Sequence, residues 1–154
     1  MEGFRSPRIA ALAGTNIKTL HYWDKSGFLS PSVAKSHGAG SRRLYSFADL
    51  VAVRVTLRLR EAGISLQSLR KVVKRLQQHQ GLSHPLAECY LLTDGKEVFL
   101  PNGERLVAIL RQPGQRLFHV LNLGETVGEL QRAVIRLNKA RSTEKTKRGR
   151  TCAG

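Results

Sequence analysis

Apolar residues recur at helical spacing through the first half of the chain and at alternate positions over much of the rest, so the sequence predicts a helical unit followed by a smaller β-patterned one. Ser6-Pro7 opens a first short helix, with serine able to cap free amides and proline suited to the first helical position. Ile9, Leu12 and Ala13 give that helix one apolar side, and Gly14 ends it. Asn16 can cap a second helix, in which Ile17, Leu20 and Trp23 face inward while Lys18, Thr19, His21 and Tyr22 spread over the other sides. Gly27 is a stop signal. Two short helices joined at a glycine outline a helix-turn-helix.

Residues 32–43 hold Gly38, Gly40, several serines and the pair Arg42-Arg43, with no apolar period, which predicts a loop shaped as a hairpin tip. Ser46-Phe47-Ala48-Asp49 has the form of a capping box and starts a helix that runs to Gly63. Ser65 caps the next helix, where Leu66, Leu69, Val72, Val73 and Leu76 form a stripe; Arg70, Lys71, Lys74 and Arg75 off that stripe read as a solvated face.

Residues 77–85 read as a linker, and the period then changes to two. Tyr90 to Thr93 and Glu97 to Leu100 flank Asp94-Gly95-Lys96, a hairpin signature. Pro101-Asn102-Gly103 reads as a second turn, residues 106–110 fit a helix or a strand, and Leu117 to Leu121 suit a third strand. Thr126 caps a last helix with Val127, Leu130, Val134 and Leu137 on its apolar edge, and the chain from Lys139 on is basic, polar and expected to be disordered. The fold class expected is mainly α: a winged helix-turn-helix over residues 1–80, a small α+β unit over 86–138 and a basic disordered tail over 139–154.

Charge sharpens this division. The chain carries 26 Lys+Arg against 11 Asp+Glu, a net +15. The surplus sits in residues 1–80 and in the tail, while the segment between is near neutral. A surplus of this size fits a polyanionic partner, because each neutralised phosphate releases counterions. The two cysteines, Cys89 and Cys152, form no CxxC pair and no disulfide framework. His79, His84 and Cys89 follow no standard zinc spacing, so no metal and no cofactor is expected. Neither a nucleophile–base pair, paired carboxylates nor a phosphate loop stands out, which argues against an enzyme. No apolar run is long enough to span a bilayer and the N-terminus lacks a signal-peptide core, so a cytoplasmic protein that does not engage membranes is expected.

The segments Thr19-Leu20-His21-Tyr22-Trp23-Asp24, Gly27-Phe28-Leu29-Ser30-Pro31, Arg43-Leu44-Tyr45-Ser46-Phe47-Ala48-Asp49-Leu50 and Leu59 to Leu66 occur in that order. Over residues 9–76 the chain resembles the MerR family of bacterial transcription regulators. The resemblance implies that the helix at 16–25 enters the major groove, with Asn16, Lys18, Thr19, His21 and Tyr22 at its DNA-facing positions. It makes the loop before Tyr45 the wing, with Arg43 favoured over its neighbour Arg42 as the contact to the backbone or the minor groove, and Tyr45 either touching DNA or packing the wing onto the body. His21 stands where the family usually has arginine, so Lys18 and Tyr22 carry more weight. The family's long coiled coil and its metal or drug ligands have no counterpart in the β-patterned sequence that follows.

The function expected is that of a sequence-specific, double-stranded-DNA-binding transcription regulator, associated with the nucleoid and meeting RNA polymerase through the promoter it binds. The alternatives are a DNA-architectural, recombination or partition factor, and an antitoxin-like module whose C-terminal unit binds a protein. A helix-turn-helix protein normally uses two copies to reach successive half-sites. The 86–138 segment is therefore expected to form a homodimer through Leu91, Val98, Phe118, Val120, Leu130, Val134 and Leu137, a set too small to be buried well within one copy.

Overall fold

The computed structural model describes residues 3–35, 42–80, 83–88, 91–93, 98–102, 105–108, 119–121 and 123–150. A short strand β1 (Phe4–Arg5) leads into α1 (Ser6–Ala13) and α2 (Ile17–Lys25); β2 (Leu44–Tyr45) then precedes α3 (Phe47–Glu61) and α4 (Leu66–Gln80). After α5 (Pro85–Glu88) come β3 (Leu91–Thr93), β4 (Val98–Asn102), β5 (Arg105–Ala108) and β6 (His119–Leu121), and the long α6 (Leu123–Arg150) follows.

Local chemistry accounts for the helix boundaries. Gly14 closes α1 in the left-handed region at φ 76°, a conformation that costs glycine little. Asn16 caps α2 by accepting from the Thr19 amide at 2.8 Å. Ser46 and Asp49 form the reciprocal capping box at the start of α3, and Ser65 accepts from the Ser68 amide at the start of α4. The expected Ser6 cap is not formed. Arg5 occupies the N-cap position without a side-chain bond, because β1 pairing holds the chain extended up to that residue, and Ser6 is already helical and buried.

One core joins α1, α2, α3 and α4 through Ile9, Leu20, Leu50, Val53, Leu59, Leu69, Val72 and Leu76. Two later residues enter the same cluster: Leu86 from α5 and Leu130 from α6, each 3% exposed. Val127 and Val134 pack against it as well. Glu129 accepts from Arg58 on α3 at 2.8 Å, and Asn138 accepts from Arg8 on α1. The last helix is therefore docked on the N-terminal unit.

Several boundaries differ from those read in the sequence. Residues 77–80 continue α4 instead of opening a linker, which adds a turn to a helix that already has an apolar stripe. Pro101 and Asn102 lie in β4, paired with Leu106 and Arg105, instead of in the turn expected of them, and Gly103 lies outside the described residues. The ambiguous stretch after it is strand β5 up to Ala108. The four strands form an antiparallel sheet in the order β5-β4-β3-β6. Leu117 and Phe118 lie outside the described residues. Thr126 is buried one turn inside α6 instead of capping it. Residues 139–150, expected to be disordered, continue α6.

Because Leu130 is covered by its own chain, it is not available to a second copy. Leu130→Ala should lower stability by about 2–5 kcal/mol, the usual cost of a cavity at a buried leucine, and leave the oligomeric state unchanged. Urea denaturation and mass measurement in solution test the two halves of this expectation.

Candidate nucleic-acid interface

The second helix divides its residues between scaffold and surface. Leu20 and Trp23 are buried. Lys18 and Lys25 are exposed, His21 is half-buried, and Tyr22 projects with 59% of its surface accessible. Asn16 and Thr19 are bound to one another: the Thr19 amide and hydroxyl both donate to the Asn16 carboxamide, the hydroxyl at 3.1 Å. Those two residues shape the start of the helix, and Lys18, Tyr22 and Lys25 remain as its long outward side chains.

The other end of α2 is fixed by several contacts. Ser26 donates to the Trp23 carbonyl at 3.1 Å, and Arg70 from α4 donates to the Ser26 carbonyl at 3.4 Å. Trp23 meets Phe28 edge-on, ring centres 5.7 Å apart, beyond the left-handed Gly27 at φ 69°. The helix thus enters its surroundings at a set angle, as groove reading requires.

The wing root is a small antiparallel patch. Phe4 pairs with Tyr45 and Arg5 with Leu44, while Leu44 also bridges Ala34. Arg42 is exposed. Arg43 is not a free arm: its Nε donates to Asp24 Oδ2 at 2.6 Å, with 24% of the arginine side chain and 14% of the aspartate accessible. This ion pair ties the last turn of α2 to the wing. The pairing runs against the expectation that Arg43 is the free arm of the wing: Arg42 is the outward one and Arg43 the tethered one.

Tyr45 has no accessible surface, so it supports the wing from beneath and does not reach DNA in this conformation. Its hydroxyl makes no hydrogen bond of normal geometry among the described residues. Burial raises the phenol's pKa above its ordinary 10.0, an effect partly offset by the Ser6 side chain.

Beneath the wing, Asp49 gathers more donors than a helix cap needs. Its Oδ2 accepts from the Ser46 amide at 2.8 Å, the Ser32 amide at 2.9 Å and the Ser32 hydroxyl at 2.7 Å. Its Oδ1 lies 3.3 Å from His84 Nε2. The spacing Ser46–Asp49 announced the cap, but no local signal pointed to Ser32 or His84. Two other cations are also structural: Arg54 donates to the Ala13 carbonyl at 2.9 Å, and Arg58 pairs with Glu129. Lys18, Lys25, Lys35 and Arg42 have no ion pair among the described residues. Lys25 and Lys35 were not singled out from sequence, since single lysines at a helix end and in a loop carry no pattern. Among the described residues, no group of three or more His, Cys, Asp or Glu converges to hold a metal ion.

Two outcomes follow. The Asp24–Arg43 pair should show coupling of about 1 kcal/mol in a double-mutant cycle built from Asp24→Asn and Arg43→Ala, measured by urea denaturation; part exposure keeps the value modest. Strictly additive losses would mean that the pair contributes nothing. Tyr45→Phe should fold with equal or greater stability, because the buried hydroxyl it removes has only a poorly aligned contact with Ser6. A raised folded-state pKa gives the wild type a contribution that is present below about pH 10 and lost as pH rises through the folded value. The advantage of the Tyr45→Phe variant should therefore widen above about pH 10.

Residues 4–76 match the family described as MerR HTH family regulatory protein. An uncharacterized HTH-type transcriptional regulator of Mycobacterium bovis is 36% identical over 118 residues, covering 77% of this chain and 52% of that protein. The HTH-type transcriptional activator mta of Bacillus subtilis is 27% identical over 82% of this chain and 44% of its own length. TipA, an HTH-type transcriptional activator of Streptomyces coelicolor, is 44% identical over 40% of this chain and 23% of its own. The chain thus spans about half the length of the first of these relatives, or less of the others. A MerR-family regulator from Bacillus cereus of known structure shares 24% identity and a TM-score of 0.41, over 47% of this chain and 52% of that one. With its buried Leu20 and Trp23, its outward Lys18 and Tyr22 and its sheet-rooted wing, the segment from Phe4 to Leu76 is a MerR-family helix-turn-helix domain.

Proposed function

We propose that the protein is a transcription regulator that binds double-stranded DNA sequence-specifically and acts as a dimer. The observation that carries this reading is the outward row of Lys18, Tyr22 and Lys25 on α2, set beside the exposed Arg42 of the wing on a scaffold that fixes both. Phosphate contacts position a protein on the duplex and base edges specify the sequence. A helix and a wing joined by Asp24 and Arg43 suit that division. The relatives named as transcriptional regulators and activators support the regulatory role. In that role the protein works at the nucleoid and meets RNA polymerase at the promoter it occupies. No helix among the described residues is long and apolar enough to cross a membrane.

For the dimer, Leu137 on α6 is 39% exposed and stays a candidate contact. Val134 packs against the chain's own core and is a weaker one. Leu91, Val98 and Val120 lie on β3, β4 and β6, and Phe118 lies outside the described residues.

Selection of bound fragments from random duplex DNA should return one motif with two related halves. Capture without sequence preference would favour an architectural role instead. On the selected site, Lys18→Ala and Tyr22→Ala should each relax preference at particular positions, at about 1–3 kcal/mol for a good base contact. Arg42→Ala should weaken binding to every duplex to a similar extent. Competition against mismatched sites separates the two patterns, and equal losses on all DNA from all three variants would refute the groove assignment.

A further inference from the structure

The last helix has 28 residues, nearly twice the 15 of α3 or α4. Its inner face is set by Thr126 and Leu130, both buried, by Val134 against the core, and by Asn138, which accepts from Arg8. Glu129 lies on Arg58 of α3, and nine residues later Asn138 lies on Arg8 of α1. Arg8 in turn stacks over the Phe4 ring at 5.2 Å, and Phe4 belongs to the strand that pairs with the wing root. The helix axis therefore runs from α3 toward the β1–β2 patch. Beyond Asn138 it continues as helix to Arg150, about 18 Å at 1.5 Å per residue.

The composition changes beyond Asn138. Residues 139–150 hold Lys139, Arg141, Lys145, Lys147, Arg148 and Arg150 against the single acid Glu144, and no apolar residue larger than Ala140. Steps of three and four carry the inner face from Val134 and Asn138 on to Arg141, Lys145 and Arg148. Lys139 and Arg150 fall on the opposite side by the same spacing, and Lys147 falls on a flank. The stripe that is apolar against the domain thus becomes cationic beyond it, on the same face. A helical stretch with no apolar face gains nothing from packing. A dense run of like charges repels itself, and a polyanion alongside relieves that repulsion.

We propose that the final turns of α6 form a rigid second DNA-backbone contact beside the wing, with Arg141, Lys145 and Arg148 on the face that meets the phosphates. This inference rests on the DNA-binding reading given above and adds to it the direction of the arm and the face that binds. The arm lies on the wing side because Asn138 and Arg8 aim it there.

The test uses the full chain on its selected duplex and reads affinity against salt. Each lost phosphate contact lowers the slope of log affinity against log salt by about 0.9. Replacing Arg141, Lys145 and Arg148 together by Gln should lower the slope by about 2–3 for each bound copy, about 5 for the proposed dimer, and weaken binding at least roughly 10- to 100-fold at moderate salt. The same change at Lys139, Lys147 and Arg150 should cost less than about threefold, since helical spacing puts those positions off that face. Ser142→Pro keeps every charge but breaks the helix just past its anchor; it should fall toward the first triple variant, with circular dichroism confirming that the rest of the fold is kept. Equal losses from the two triple variants, with Ser142→Pro harmless, would overturn the proposal in favour of a diffuse electrostatic tail. Unchanged DNA binding in all three, with loss of a dimer in solution, would overturn it in favour of a contact between copies. Failure of the wild type to select any duplex would instead overturn the DNA-binding reading itself.

Discussion

The buried Asp49 carboxylate is the constraint on which the arrangement of the head depends. A charge at 3% exposure is costly unless hydrogen bonds replace its water. Here three donor groups do so, from Ser46 at the start of α3 and Ser32 in the stretch leaving α2, while His84 just before α5 lies 3.3 Å from the other oxygen. The requirement works in both directions. The carboxylate needs those donors, and satisfying it draws the wing root, α3 and the chain beyond α4 to one point. The capping box is one part of a larger junction.

Around that junction, the charge of the chain separates into structural and outward portions. Arg54 closes α1, Arg58 holds α6, Arg70 closes α2 and Arg43 holds Asp24. These four contribute to the overall surplus of positive charge but are committed to carbonyls or carboxylates. Among the side chains that project, Lys18, Tyr22 and Lys25 share one helix, and Lys35 and Arg42 lie at the wing. Net charge thus fits a polyanionic partner, and the hydrogen bonds separate the cations held by the fold from those left outward.

Much of the helical half was legible because its signals are local. Asn16, Ser46-Asp49 and Gly14 are caps and stops whose partners lie within four residues, and Leu69, Val72 and Leu76 mark a face by their spacing. What was not legible depends on distant partners. Whether Arg42 or Arg43 projects is decided by Asp24, 19 residues from Arg43. Whether Tyr45 touches DNA is decided by the burial that β1 and α1 impose on it. Leu130 reads equally well as a core or an interface residue until α3 is seen against it. The end of α6 was misread for a related reason: composition alone says that residues 139–150 need not pack, but not that a docked helix leads into them.

The Asp24–Arg43 pair has a consequence for modular engineering. Asp24 belongs to α2 and Arg43 to the wing, so the two parts of the proposed DNA-binding surface share one contact. A helix transplanted from a relative would bring its own base-reading side chains, but it would also replace the residue that steadies the wing. Without an acid at position 24, Arg43 would regain the rotamers it gives up in the pair, and ordering them again on DNA would cost affinity. Changes of target sequence are therefore best made at Lys18, Tyr22 and their immediate neighbours, with position 24 inherited from the host.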